Sequence, residues 1–337
     1  MRFFLVLGVV LFFMSFLSCK KKEIGGPVTG GSVEGYVATK NGIFPLGGVL
    51  VYIKENMDKK TYSNSEGYFK ISSIPAGQKT LVITTGSIKV EKQVNIEEGK
   101  VIRISTKENP LRLGSQLKMA VVWGSYDHIE EILDTIGFRR VTVPDTGAYV
   151  LFNNISEFLN SSYLNEFNIA FINCGALDED YFYTDSLMRE QMKSWVSNGH
   201  SLYCSDWAYG VVEACFPQYI NFSGNDSIYG SAEVGKYMLT TSFINDEEIK
   251  NHLGKDKADI NFNLSGWVVI DSLEQGSSAE IWITADSVRT FTEKLINVPI
   301  MVYFSYGQGK VLYTSFHNEA QVTDDMVKIL IRIIYGL

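Results

Sequence analysis

The chain has 337 residues, 45% of them hydrophobic and 13% aromatic, which is enough apolar material for two packed domains and too much for a disordered chain. Its formal net charge is −8, and no basic block beyond Lys20-Lys21-Lys22 offers a footprint for nucleic acid. The four cysteines contain no C-x-x-C pair, which excludes the usual zinc and dithiol motifs.

Arg2 precedes an apolar run from Phe3 to Met14, shorter than the roughly 20 residues a membrane-spanning helix needs but suited to a removable signal segment. The run closes as Ser15-Phe16-Leu17-Ser18-Cys19, followed by Lys20-Lys21-Lys22-Glu23. This pattern resembles the lipobox of bacterial lipoprotein signal peptides, with Phe16 where that pattern usually carries Leu. The resemblance implies a signal peptide over 1–18, cleavage before Cys19, and lipid such as palmitate on the Cys19 thiol and new amino group. It places the protein in the cell envelope as an outer-membrane lipoprotein, because no Asp follows Cys19 as a retention signal; the periplasmic and surface faces both stay open. Removing residues 1–18 leaves 29 Lys+Arg against 38 Asp+Glu. Residues 19–31 read as a flexible, glycine-rich tether.

From 32 to 108 the chain reads as short strands between turns. Val33–Val37 alternates, Val49–Ile53 is a buried run, Tyr68–Ile71 follows a Ser65-Glu66-Gly67 turn, and Leu81–Ile83 and Val101–Ile104 complete the series. Such spacing without a helical period predicts an antiparallel β-sandwich. Glu34-Gly35-Tyr36-Val37, Pro45-Leu46-Gly47-Gly48-Val49-Leu50-Val51, Ser65-Glu66-Gly67-Tyr68-Phe69 and Ile74-Pro75-Ala76-Gly77 stand in the order of the carboxypeptidase regulatory-like, transthyretin-like domain, which this segment resembles. The resemblance implies a spacer or weak binding module without catalytic residues.

Asn109-Pro110 and Gly114-Ser115 mark a boundary, and 115–337 reads differently. Apolar strands at Met119–Trp123, Arg140–Val143, Asn168–Gly175, Ser201–Cys204 and Val311–Phe316 alternate with helical stretches at Asp127–Ile136, Ile155–Leu164, Ser186–Ser197 and Asp324–Tyr335. This predicts an α/β domain with a doubly wound, mainly parallel, flavodoxin-like sheet. An insertion at about 217–300 carries further strands at Gly266–Ile270, Glu280–Ile283 and Ile300–Phe304.

Ligands of such sheets collect beyond the carboxyl ends of the strands. Those ends supply Trp123, Tyr126, Asp127, His128, Asp206, Trp207, His317 and Glu319 as ligand-binding candidates. Carboxylates accept the hydroxyls of a polyhydroxylated ligand, and indole covers an apolar ring face. The plainer roles are helix capping for Asp206 and Glu319 and packing for the aromatics. Trp123-Gly124-x-x-x-His128, Trp195-Val196-x-x-Gly199 and Phe316-His317-Asn318-Glu319 resemble the class I glutamine amidotransferase-like superfamily, including ThuA-like proteins linked to trehalose use. That resemblance implies a Cys204–His317–Glu319 triad. Leu202 and Asp206, however, stand where a nucleophile elbow normally needs glycine.

A metal would have to recruit Asp127, His128, Asp206 and His317, which have no recognised ligand spacing, so neither metal nor cofactor is expected. Cys174, Cys204 and Cys215 offer either one disulfide with an odd thiol or three plain buried cysteines. Asp178-Glu179-Asp180 reads as a solvated helix start, and His200 and His252 read as surface residues. The favoured function is a non-enzymatic, lipid-anchored envelope protein that binds a glycan or an envelope protein partner. The alternative is an envelope hydrolase or transferase working through the strand-end residues.

Overall fold

A computed structural model describes residues 30–319 and 323–337. The signal segment, Cys19 and nearly all of the expected tether lie outside the described residues. Among these residues no helix is long and apolar enough to cross a membrane.

The N-terminal part is a β-sandwich. One sheet joins Tyr68–Ile74, Gly31–Ala38 and Val101–Arg103, with Leu111–Arg112 also on Gly31–Ala38; the other runs Asn56–Tyr62, Leu50–Ile53, Gly77–Thr85, Ile88–Ile96. Every expected strand is present, because alternation places Val33, Val51, Phe69, Ile71, Leu81 and Ile83 inward with at most 3% exposure. Two features differ from the sequence reading. The first sheet is mixed, since Gly31–Ala38 pairs in parallel with Val101–Arg103 and with Leu111–Arg112. The expected linker is also tied down: besides the Leu111–Arg112 pairing, Leu113 is buried and its N–H donates to the Ala38 carbonyl over 3.0 Å.

The second part is built on a ten-stranded sheet. Its order is Arg139–Val141, Ala148–Phe152, Lys118–Val122, Ile169–Ile172, Ser201–Ser205, Gly309–Thr314, Lys294–Tyr306, Glu280–Arg289, Met238–Ile244, Lys257–Phe262. The first six strands are mutually parallel. The last four add to the Gly309–Thr314 edge in antiparallel fashion. Lys118–Val122, first in the chain, lies between later strands, so the winding reverses beside it and leaves a crevice at its carboxyl end.

Each face of this sheet has its own core. Ser186–Ser197 and Tyr209–Cys215 cover one face through Met192, Trp195, Val211 and Val212. On the other face, Ile129–Thr135 and Asp324–Gly336 pack in an apolar cluster that continues without a break into the sandwich core. Polar bonds cross the same junction. The Lys40 N–H donates to Tyr335 Oη over 2.8 Å, Thr85 Oγ1 donates to the Tyr335 carbonyl over 2.9 Å, and the Gly47 N–H donates to His252 Nδ1 over 3.0 Å.

That last bond corrects the surface reading of His252, which is 5% exposed at the domain junction. Burial, with the nearby Arg332 charge, pulls its pKa down to about 3, so the ring is neutral and free to accept. His200 also packs, stacked on Trp195 with 4.8 Å between ring centroids. All three described cysteines are free and buried, so the plain buried-thiol reading holds and the disulfide does not form.

Candidate functional site

Four strand ends meet at the crevice, and a hydrogen-bonded knot beneath it sets their spacing. Asp127 is fully buried; its Oδ2 accepts from Ser205 Oγ at 2.5 Å and its Oδ1 from the Asn318 N–H at 3.0 Å. Ser205 Oγ in turn accepts the Cys174 N–H at 3.0 Å. The loops after Lys118–Val122, Ile169–Ile172, Ser201–Ser205 and Gly309–Thr314 are therefore joined through one carboxylate and one hydroxyl. Burial pushes the Asp127 carboxyl up, opposed by the His317 charge and by the hydrogen bonds from Ser205 and Asn318.

Asp206 follows Ser201–Ser205 directly and has φ +45°, in the left-handed region that a non-glycine residue occupies only under constraint. Two bonds supply the constraint: Oδ1 accepts the Val268 N–H at 2.7 Å, and the Asp206 carbonyl accepts Tyr313 Oη at 2.9 Å. The sharp strand-to-helix elbow, where α/β-hydrolases present their nucleophile, thus carries a carboxylate in this chain. Its Oδ2 lies 3.5 Å from Cys174 Sγ and 3.4 Å from His317 Nδ1. Asp206 does not cap the following helix, and the helix Asp324–Gly336 is capped by Thr323 rather than Glu319.

The cleft above has a volume of about 500 Å³ and is lined by residues including Tyr126, Cys174, Glu179, Asp206, Trp207, Tyr229, Trp267 and His317. Gly175 has φ +75°, and a Cβ there would come within 2.9 Å of the Tyr126 ring, so only glycine lets the two loops approach this closely. Trp207 is held by Nε1–H donating to the Gly266 carbonyl at 2.9 Å, and its ring meets Tyr229 edge-on with centroids 6.0 Å apart. Tyr126 is half exposed at the rim.

Three titratable groups in the cleft are displaced from their ordinary behaviour. The Cys174 thiol is pushed well up by burial and by the Asp206 charge, so it stays protonated. Burial penalises a charge on His317, but the carboxylates of Asp206, Asp127 and Glu319 outweigh it and hold its pKa above the usual value. Glu179, 2% exposed and bonded at 2.5 Å to Tyr229 Oη, is pushed up to about 8 by burial. The acidic triplet is therefore not a solvated helix start at Glu179, because the Ala176 N–H and Tyr229 fold that carboxyl inward.

The sign of the Glu179 effect follows from linkage. The folded state keeps a proton that the unfolded state releases above about pH 4.5, so stability falls as pH rises toward the folded pKa of about 8. Glu179→Gln removes the titration. Urea unfolding of the parent should lose up to about 1.4 kcal/mol per pH unit across that window relative to the variant. Parallel pH profiles for the two proteins would refute a buried, protonated Glu179.

Of the sequence candidates, Tyr126, Asp206, Trp207 and His317 line the cleft, and Asp127 ties the loops below it. Trp123, His128 and Glu319 stand outside the lining: His128 Nδ1 lies 3.5 Å from Glu130 Oε1, and Glu319 Oε2 accepts from Asn263 Nδ2 at 2.5 Å. Cys204 does not join His317. Its side chain lies in the core covered by Ser186–Ser197, while its neighbours Tyr203 and Ser205 point to the other face, as strand alternation requires. The thiol beside His317 is that of Cys174. Sequence reasoning also passed over Glu179, Tyr229 and Trp267; the latter two come from the insertion.

No curated protein matches the chain. Among solved structures, it is similar to a ThuA-like protein of Bacteroides uniformis at 9% identity, covering 65% of this chain and 89% of that one with a TM-score of 0.42. A ThuA-like protein of Parabacteroides merdae is similar at 13% identity over 66% and 88% of the two chains, with a TM-score of 0.41. A chain of a type II cohesin–X-dockerin complex of Acetivibrio cellulolyticus is similar at 23% identity over 32% and 74%, with a TM-score of 0.21. Residues 33–116, which include the N-terminal sandwich, match the family model of the CarboxypepD_reg-like domain.

Proposed function

We propose that this chain is a lipid-anchored outer-membrane protein that binds a saccharide in the cleft of its α/β domain, with the sandwich as a spacer between anchor and cleft. The observation that carries the binding role is the lining of that one cleft. Four aromatic rings (Tyr126, Trp207, Tyr229 and Trp267) surround the buried carboxyls of Asp206 and Glu179 in about 500 Å³. Small-molecule sites have this size and this combination of apolar walls with a few fixed polar groups. Aromatic faces cover the C–H faces of a sugar ring, and carboxylates accept its hydroxyls. The Cys174 thiol argues against acyl transfer as the main role, since a nucleophilic cysteine needs a depressed pKa and this one is raised. The second reading, an envelope hydrolase or transferase, is favoured only by the closeness of Cys174, Asp206 and His317.

Calorimetry with mono- and disaccharides and peptidoglycan fragments tests the binding role. Trp207→Ala and Asp206→Asn should each weaken the bound saccharide by about 5- to 150-fold, since truncating a central contact costs about 1–3 kcal/mol. Trp123→Ala, outside the lining, should leave it unchanged. Absence of heat with every saccharide, or equal affinity in all three variants, would reject the binding role. Cys19→Ser should move the protein from the membrane to the soluble fraction, and persistence in the membrane would reject the anchor.

A further inference from the structure

We infer that Cys174, Asp206 and His317 form a binding site for one zinc-class divalent ion on the floor of the cleft. The three side chains come from three different strand ends, yet one donor atom of each lies within 4.8 Å of the others. Tetrahedral zinc, with Zn–S of about 2.3 Å and Zn–N and Zn–O of about 2.0–2.1 Å, places sulfur and oxygen ligands ~3.5 Å apart and nitrogen and oxygen ligands ~3.3 Å apart. The corresponding separations here are 3.5 Å for Cys174 Sγ to Asp206 Oδ2 and 3.4 Å for His317 Nδ1 to Asp206 Oδ2. Two of the three separations between the protein donor atoms therefore already stand at ligand spacing.

His317 provides an independent observation. It is 6% exposed, and neither ring nitrogen makes a hydrogen bond, Nδ1 having only the 3.4 Å ion-pair contact with Asp206, although buried polar atoms ordinarily find a partner. A metal at the shared focus would give Nδ1 a ligand bond in place of the 3.4 Å contact with the Asp206 carboxylate. The donor set of thiolate, imidazole and carboxylate suits zinc and its borderline neighbours, whereas calcium and magnesium take oxygen ligands. The supporting contacts fit as well. Asp206 is oriented by the Val268 N–H on its other oxygen and by Tyr313 Oη on its carbonyl.

Because all three residues line the cleft, three protein ligands leave the fourth position open to water or to a hydroxyl of a bound molecule. Binding the ion releases to solvent the Cys174 thiol proton and, where the imidazole is charged, the His317 Nδ1 proton, leaving a thiolate and a neutral imidazole as ligands. This site does not rest on the saccharide reading.

The test uses the full chain, stripped with chelator and titrated with zinc and then cobalt, with no saccharide present. One equivalent of zinc should bind per chain. The cobalt form should show the d–d bands of a tetrahedral site together with a thiolate-to-cobalt charge-transfer band. Cys174→Ser should lose the charge-transfer band and weaken zinc at least ~100-fold, more than loss of an outer-shell partner does. Cys204→Ser and Cys215→Ser should keep both signals. His317→Gln, which retains the thiol, provides a second variant should Cys174→Ser fail to fold, and it should also lose the tetrahedral spectrum. Absence of stoichiometric metal in the parent, a cobalt spectrum without the thiolate band, or loss of that band in Cys204→Ser would overturn the site. Saccharide binding that survives loss of the metal would leave the cleft's function standing without it.

Discussion

Replacing Gly48 with alanine should destabilise the folded chain by about 2–5 kcal/mol, combining the left-handed backbone penalty with overpacking. Gly48 has φ +73°, and a Cβ there would lie 2.3 Å from the backbone oxygen of Glu248 and 2.9 Å from its Cα. The obstacle is the backbone of the helix Glu247–Leu253, which cannot rotate away as a side chain would, so the sandwich must lift from the α/β domain. Gly47 is wedged beside it, with its own Cβ position 2.4 Å from His252 Cα.

Gly99→Ala isolates the backbone contribution. Gly99 has φ +70°, yet its Cβ would meet nothing within 4 Å, so that variant should lose only about 1–2 kcal/mol. Both substitutions restrict the unfolded chain equally, so the difference between them reports the close approach of the two domains. Equal losses by urea unfolding would mean that the approach contributes nothing.

The Gly47-Gly48 pair was visible in the sequence as part of the motif that resembled the carboxypeptidase regulatory-like domain, but its partner helix was not. Glu247–Leu253 buries only Ile249 and His252, too sparse a stripe for a helical period. The neighbouring strand Met238–Ile244 reverses the usual polarity, with Leu239 and Phe243 exposed while Thr240 and Ser242 are buried, so alternation pointed nowhere. Asn56–Tyr62 is an edge strand with no buried residue and no apolar signal either.

In the parallel sheet, continuous apolar runs made the core strands legible, and the strand-end rule gathered Tyr126, Asp206, Trp207 and His317 at one cleft from the sequence alone. The roles within that cleft were not legible. A rule that seeks glycines around a cysteine has no place for an aspartate held at positive φ by Val268 and Tyr313, residues distant in sequence. Cys174 looked like any buried thiol because its partners, Asp206 and His317, lie on other strands.

Arg332→Met should cost about 2–4 kcal/mol and separate the unfolding of the two domains. Arg332 is 3% exposed on the helix Asp324–Gly336, and its guanidinium reaches across the domain junction. Nη1 donates to Thr85 Oγ1 at 2.9 Å, Nη2 donates to the Gly48 carbonyl at 3.4 Å, and Nη2 also pairs with Glu248 Oε2. Burial lowers the guanidinium pKa, opposed by the charges of Glu248 and Asp246, yet an arginine stays charged in any protein environment.

Breaking a fully buried ion pair costs about 3–5 kcal/mol, but the Glu248 side chain is 41% exposed and water can take over its carboxylate. The larger loss should fall on the sandwich side, where the Gly48 carbonyl loses its donor in a closed junction, at about 1–3 kcal/mol, and Thr85 Oγ1 loses the guanidinium bond while keeping its own bond to the Tyr335 carbonyl. Double-mutant cycles separate these contributions. Coupling between Arg332→Met and Thr85→Val should exceed coupling between Arg332→Met and Glu248→Gln. With this anchor gone, the sandwich should melt before the α/β domain, so a single transition in the parent becomes two by calorimetry. A single transition in the variant, or stronger coupling to Glu248 than to Thr85, would mean that the surface ion pair rather than the cross-junction hydrogen bonds holds the two domains as one body.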